Sequence, residues 1–410
     1  MPKAHPRTEP RRAAIVAGLR TPFVKASTVF KKLSAVQLAT SLVAELVART
    51  DIDPGVIERV VYGQVVISPS TPNIAREVAL AANLPRTCDA YSVSRACATS
   101  TQALVEGAMA IQCGDIDVAI VGGADSLSRP PITYQDNFID ALMAANAAKD
   151  PLAKARPFLE LKPKDLVPKP PALREVSTGL TMGESAEKMA KENEIPRADQ
   201  DAFAYESHRR AAAAWEKGIY EAEVMHLPVP PSFETVVSRD AMVRADTSVE
   251  KLATLKPVFD ARYGSVTAGN SSPLTDGASA LLVMEEGRAR ALGFEPLAFV
   301  RSWAFAAVDP AWQLLMGPAI AIPRALERAE VGLDDIDLVD MHEAFAAQVL
   351  SNLQALASRA WMEKHVGKAE AVGEVPREKL NIYGGSISLG HPFAATGARQ
   401  ALTMARELER

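Results

Sequence analysis

Hydrophobic and polar positions along this chain change period several times, and each change predicts an element. Residues 117–126, DVAIVGGADS, are apolar and closed by glycines, and read as a buried strand. Residues 280–284, ALLVM, read as a second. The run ACATSTQALVEGAMAIQCG (96–114) reads as a helix start followed by a small-residue helix, as does FAATGARQALTMARELER (393–410). A further helix is expected over 198–218, ADQDAFAYESHRRAAAAWEKG.

The two small-residue helices belong to a weak internal repeat. LVARTDIDPGVIERVVYGQVV (46–66) aligns with ALERAEVGLDDIDLVDMHEAF (325–345), pairing Arg49 with Arg328, Ile57 with Ile336 and Val60 with Val339. Each copy reads as a helix end, a turn and a buried strand. A duplicated α/β fold is therefore expected. In the first copy the second helix leads into the 117–126 strand; the second copy stops at Arg410 with no counterpart, which reads as a half lacking its last strands.

Between the halves lies a proline-rich insertion, 127–258, of the kind that shapes a binding site. Over 149–175 it carries seven Lys/Arg against four Asp/Glu. Phe138, Ile139, Leu142 and Met143 fall on one helical face. The plainer reading packs that face over the body of the protein; the sharper one makes it a weak membrane- or partner-facing patch. The expected organisation is a flexible tail over 1–12, a first half over 13–126, the insertion over 127–258, a return to the first half over 259–290 and a second half over 291–410.

Composition narrows the function classes. The 410 residues are 48% hydrophobic and 23% charged, with a net charge of −5, so nothing electrostatic favours nucleic acid. The polar N-terminus and the short AAIVAG run do not read as a signal peptide, and no stretch approaches a membrane span. A cytoplasmic location is expected, with a trimmed organellar form left open. The three cysteines, Cys88, Cys97 and Cys113, form no CxxC pair and no local cluster with histidine, so neither a disulfide scaffold nor a metal site is expected.

Cys97 stands out, because it precedes a helix whose unpaired N–H groups and dipole favour a thiolate nucleophile. Cys113 ends the same helix and reads as structural. A cysteine nucleophile needs a base. Of the six histidines, His5 lies in the tail, and His208, His226 and His365 read as surface residues. His342 follows the apolar run DLVDM at a strand end, and His391 lies on a glycine-flanked turn before a helix. In the repeat, Cys97 and His391 occupy the same point of the two halves. A shared Cys/His site follows. The run SVTAGNSSPLTDGASALLV (265–283) offers small donors and close backbone approach to an extended ligand.

Together, SVSRACATSTQAL, GSVTAGNSSPLTDGASA, DMHEAFAAQ and NIYGGSISLGHPFAATGAR resemble the thiolase superfamily over nearly the whole chain. The resemblance is greatest to the branch holding the β subunit of the fatty-acid oxidation (trifunctional) complex, given His342 where many thiolases have Asn and the LKPKDLVPKPPALREVSTGLTMGESAEKMA insertion. It implies layered α/β/α/β/α halves with an inserted loop domain, and retro-Claisen cleavage of 3-oxoacyl-CoA in fatty-acid β-oxidation, with coenzyme A as co-substrate and no tightly bound cofactor. Cys97 would take the acyl group, His391 its proton, and His342 the place of the Asn that positions an oxyanion-hole water. Met182 and Ser272 match positions lining the pantetheine tunnel, Arg244 is a candidate for the CoA phosphates, and Thr181, where some short-chain members have His, points to longer chains. Implied partners are acyl-CoA and CoA, a second copy in a homodimer or larger assembly, and a hydratase/dehydrogenase α subunit. The family carries a second catalytic cysteine in a C-x-G motif beyond the last helix; this sequence ends before it, which reads as truncation. A Cys-His-His decarboxylating synthase and a non-catalytic subunit are the alternatives.

Overall fold

The computed structural model describes residues 10–169 and 174–410; most of the expected 1–12 tail, His5 included, lies outside them. Nine strands occur in chain order among the described residues: β1 (Ala13–Arg20), β2 (Val24–Lys25), β3 (Arg59–Gly63), β4 (Asp89–Val93), β5 (Val118–Asp125), β6 (Leu227–Pro228), β7 (Val236–Val237), β8 (Thr275–Glu285) and β9 (Ala298–Phe299). Seven form one sheet, ordered β4-β3-β5-β8-β1-β9, with β2 also on β8. β4, β3 and β5 run parallel, whereas β8 is antiparallel to β5 and β1.

The two uninterrupted apolar runs of the sequence are the adjacent central strands β5 and β8. Every residue of β5 is buried, as is every residue of β8 but the last. Strands covered on both faces need no polar alternation. One face packs the Ala35–Thr50 and Ile74–Ala81 helices through Leu38, Leu42, Val60, Ile120 and Leu282. The other packs the Thr99–Cys113 and Thr396–Glu409 helices through Ala108, Ile111, Val121, Val283 and Leu402. The helix of the second half thus lies on the sheet of the first, and the α/β class expected from the sequence is the class observed.

The repeated order of elements is visible on both sides. The Ala35–Thr50 helix, a short turn at Pro54–Val56 and β3 have counterparts in the Gly317–Ala329 helix, a turn at Leu333–Asp335 and an extended segment through Val339. Val60 pairs with Ala90 inside the sheet, whereas Val339 meets Leu380 through an isolated parallel bridge. Among the described residues, the segments around Val339 and Leu380 pair through that bridge and form no regular ladder.

The insertion carries the Asp136–Ala147 helix, of which only Ala141 is buried. Met143 is 67% exposed, and Ile139 and Leu142 are also exposed. This face does not pack over the body of the chain as the plainer reading had it. The expected helix over 198–218 is Arg197–Glu216, with Phe203, Ala204 and Ala211 buried. Among the described residues no helix is long and apolar enough to cross a membrane.

Candidate active site

The site assembles where two helix starts meet. Arg399 and Leu402 follow Gly397 on the Thr396–Glu409 helix, and a Cβ on Gly397 would collide with Thr101 of the Thr99–Cys113 helix. The Ala398 N–H donates to Ser100 Oγ at 2.8 Å. The missing side chain at Gly397 lets the two N-termini touch, and the loops before them converge.

Cys97 lies on the first of those loops. Ala96 has φ 43°, a left-handed conformation that costs a non-glycine residue free energy and is tolerated where the surroundings impose it. Thr99 imposes it: its hydroxyl donates to Ala96 O at 2.7 Å and accepts from the Arg95 N–H at 2.8 Å. The turn leaves the Cys97 side chain projecting from the strand-to-helix junction.

His391 lies on the second loop, after Gly390 at φ 109°. Its Nε2 is 3.1 Å from Cys97 Sγ, and its Nδ1 shares a hydrogen bond with Thr396 Oγ1 at 2.6 Å. His342 arrives from a third segment. Its ring centroid is 4.0 Å from that of His391, and its Nδ1 is bonded to Ser386 Oγ at 2.8 Å. Its Nε2 is buried and has no hydrogen-bond partner among the described residues. The three donor atoms of Cys97, His342 and His391 lie within 4.8 Å of one another.

A polar frame beneath the histidines holds them. Asn381 Nδ2 donates to Met341 O at 2.9 Å and to Glu343 Oε1 at 2.7 Å, while its Oδ1 accepts from the Met341 N–H at 2.7 Å. Glu343 Oε2 accepts from Ser207 Oγ at 2.6 Å and from the Ile387 N–H at 3.2 Å. The residues on either side of His342 are therefore clamped. Asp125, at the end of β5, joins the halves. Its carboxylate accepts from the N–H groups of Val65 and Val66 and from that of Ala394, the last at 2.7 Å.

Electrostatics overturn one expectation. Burial, and then the negative charge of Asp125, push the Cys97 thiol up to about 12. The resting group is the neutral thiol and not the thiolate expected from the helix start. Desolvation outweighs the dipole of a helix whose first residue lies two positions on. Burial, with the guanidinium of Arg399, lowers His342 to about 3. His391 is held well below 6.5 by burial, then His342, then Arg399. Both imidazoles are neutral at physiological pH, so His391 can accept a proton across the 3.1 Å contact. Burial raises Asp125 to about 6 despite its three N–H donors.

The remaining predicted positions fall at different distances from this cluster. The Ser272 N–H donates to Ala344 O at 2.9 Å, two residues past His342, and Leu274 bridges His391. The glycine-serine run is thus fastened to both histidine segments. Met182 begins the Met182–Glu192 helix; Gly183 beside it meets Phe259, whose ring stacks edge-on to Phe345 at 6.2 Å. Thr181 caps that helix, its hydroxyl accepting from the Glu184 N–H at 3.2 Å. Arg244 is exposed; its backbone N–H donates to His208 Nδ1 and its carbonyl accepts from the Thr247 N–H, each at 3.2 Å. His208 is not a surface residue: it is buried, and burial lowers it to about 4. It sits on the inner face of a helix whose charged neighbours masked it. Neither other cysteine joins the site: Cys88 belongs to the core on the opposite face of the sheet, and Cys113 is exposed at the far end of its helix. Asp125, Ser386, Thr396, Asn381 and Arg399 were not singled out from the sequence. Ser386 and Thr396, which bracket the His391 turn, were the available signal.

The chain matches two family profiles, "Thiolase, N-terminal domain" over residues 13–287 and "Thiolase, C-terminal domain" over residues 294–410. It is 51% identical over 399 residues to a 3-ketoacyl-CoA thiolase of Serratia proteamaculans, covering 97% of this chain and 91% of that one. Among solved structures it is similar to the Bacillus anthracis acetyl-CoA acetyltransferase, with a TM-score of 0.81, 32% identity and coverage of 98% and 93%. It is also similar to human mitochondrial 3-ketoacyl-CoA thiolase in complex with CoA, with a TM-score of 0.80, 27% identity and coverage of 98% and 92%.

Proposed function

Because the chain belongs to the thiolase family, we propose that it is a 3-ketoacyl-CoA thiolase that passes an acyl group through Cys97. The carrying observation is the 3.1 Å approach of His391 Nε2 to Cys97 Sγ, made by residues 294 positions apart. Cys97 Sγ attacks the 3-keto carbon of a 3-oxoacyl-CoA while its proton passes to His391 Nε2. The Thr396 hydrogen bond at Nδ1 orients the ring, and the neutral base receives the proton only as the sulfur forms its new bond. This removes the need for a resting thiolate.

The oxyanion then formed lies beside His342, whose Nδ1 is engaged by Ser386 and whose Nε2 is free. With the Ser386 hydroxyl donating to Nδ1, the Nε2–H faces the developing charge. Collapse breaks the C2–C3 bond and leaves acyl-Cys97. The proton lost by Cys97 and the one gained by the departing acetyl-CoA carbon balance. Attack of a second CoA thiol on acyl-Cys97 releases the shortened acyl-CoA and restores the thiol. Ser272, fastened between the histidine segments, and Met182, linked to them through Phe259 and Phe345, support a pantetheine path alongside. Exposed Arg244, with no side-chain partner among the described residues, is free to meet a CoA phosphate.

Incubation with a 3-oxoacyl-CoA in the absence of free CoA gives an intact-mass increase equal to the shortened acyl group, and free acetyl-CoA. Cys97→Ala removes both. An adduct that survives in Cys97→Ala overturns the reading, and decarboxylation of malonyl thioesters without thiolysis replaces it with the synthase-like one.

A further inference from the structure

No metal-ligand motif is present along the chain, yet the fold gathers one sulfur and two imidazole nitrogens from residues 97, 342 and 391. We propose that this cluster is an inhibitory site for a soft divalent cation of the Zn²⁺ class, the ion capping the nucleophile and both histidines at once. The inference rests on the thiolase reading for what the ion would inhibit, and on geometry alone for where it binds.

The donor set is a facial one. Both imidazoles use Nδ1 for a hydroxyl, Ser386 for His342 and Thr396 for His391; with each Nδ1–H donating to that hydroxyl, which for His342 is the tautomer opposite to the one that faces an oxyanion, Nε2 of each has a lone pair for a ligand. Metal-bound histidines carry the same kind of outer hydrogen bond, and it raises their basicity. The His342 Nε2 is buried and has no hydrogen-bond partner among the described residues. A buried nitrogen without a partner is a standing cost that an ion would remove.

The distances suit the ion. Donors on one tetrahedral Zn²⁺, with bonds of about 2.0–2.3 Å, stand about 3.3–3.7 Å apart. The His391–Cys97 contact is 3.1 Å and every pair lies within 4.8 Å. Spreading the first by about 0.4 Å and closing any wider pair by at most about 1.5 Å completes three ligands. The fourth position goes to water or to a CoA thiol. Binding replaces the Cys97 thiol proton with the metal; one proton leaves to solvent and no electron moves. Occupation removes the sulfur lone pair and the accepting nitrogen of His391 together, so the ion is an inhibitor and not a catalyst.

The test uses the full chain stripped with EDTA and titrated with Co²⁺, whose thiolate complex has a near-ultraviolet charge-transfer band. The expected result is one equivalent bound with that band, displaced by Zn²⁺. The band is absent in Cys97→Ser. In Ser386→Ala, which leaves all three ligands in place, affinity falls on the order of 10–100-fold. Zn²⁺ also blocks alkylation of Cys97 and stops thiolysis, and EDTA restores both. No charge-transfer band, a band that survives in Cys97→Ser, or an unchanged affinity in Ser386→Ala overturns the inference. So does a stripped enzyme that needs Zn²⁺ to turn over. A stripped protein that gives the band but never thiolyses overturns the function and leaves the metal site standing.

Discussion

The two halves of this chain place their reactive groups by different means. In the first half the backbone does it. Cys97 follows a strand registered residue by residue against β3, and β3 against β5. Its turn is set by main-chain contacts and one threonine hydroxyl. In the second half, side chains do it. The histidine segments are held to their neighbours by isolated bridges, at Val339–Leu380, Ser271–Phe345 and Leu274–His391, and not by a ladder, and Asn381, Glu343, Ser386 and Thr396 hold the imidazoles. A ladder spreads the cost of any one defect over many hydrogen bonds. A polar frame concentrates it, because each buried group has one or two partners. The nucleophile is thus robust to polar substitution and sensitive to steric intrusion, and the base is the reverse.

The largest effect expected from breaking this arrangement is on turnover. His391→Ala lowers the rate of Cys97 acylation by about 10²–10⁴-fold while the fold persists, read by single-turnover mass spectrometry and circular dichroism. A drop of less than tenfold would remove His391 from the proton path. Next comes a steric break in the first half. A Cβ on Gly63 would collide with the Val93 carbonyl and the Thr99 methyl. Gly63→Ala is expected to cost about 1–3 kcal/mol in denaturant unfolding and to displace the Cys97 turn. An unchanged midpoint would show that the ladder is softer than its register suggests.

The corresponding break in the second half removes a hydrogen-bonding group and no bulk. Asn381→Ala leaves the Met341 N–H and one Glu343 oxygen unpaired, costing about 1–3 kcal/mol, and lowers turnover more than it raises KM, because the loosened residue is His342. Equal losses in Gly63→Ala and Asn381→Ala, with the same split between turnover and KM, would erase the distinction between the halves. The smallest effect is electrostatic and falls on the residue shared by both. Asp125 raises the Cys97 thiol, so Asp125→Asn lowers it and speeds iodoacetamide alkylation a few-fold at fixed pH. In the parent chain, with the thiol pushed up to about 12, alkylation climbs about tenfold per unit from about pH 7 to about pH 9. The depressed histidines add no inflection there. A plateau near pH 8 would mean a thiolate pair in the resting state.

Much of this was legible along the chain, for a definite reason. β5 and β8 announce themselves because strands covered on both faces must be apolar at every position. Cys97, His342 and His391 were legible as candidates because nucleophiles and bases come from few residue types and these stand at element ends, and the fold brings the three together. His208 was misread because it lies among charged residues on a long helix, where burial depends on which face turns inward. The apolar face of the Asp136–Ala147 helix was misread in the opposite sense: periodicity marks an apolar face but not what covers it.

The sequence by itself determined the α/β class and marked Cys97, His342 and His391 as candidates, since these depend on local period and chemistry. Only the tertiary structure decided their protonation states and mutual reach. The thiol at Cys97 is set by burial and by a carboxylate 28 residues downstream at Asp125, and the imidazole that faces it comes from the far end of the chain, where the two helix starts meet. Desolvation and Coulomb terms are properties of three-dimensional neighbours, so a thiol that local dipole reasoning makes acidic is, in the folded protein, a thiol that keeps its proton until its base and its substrate are both in place.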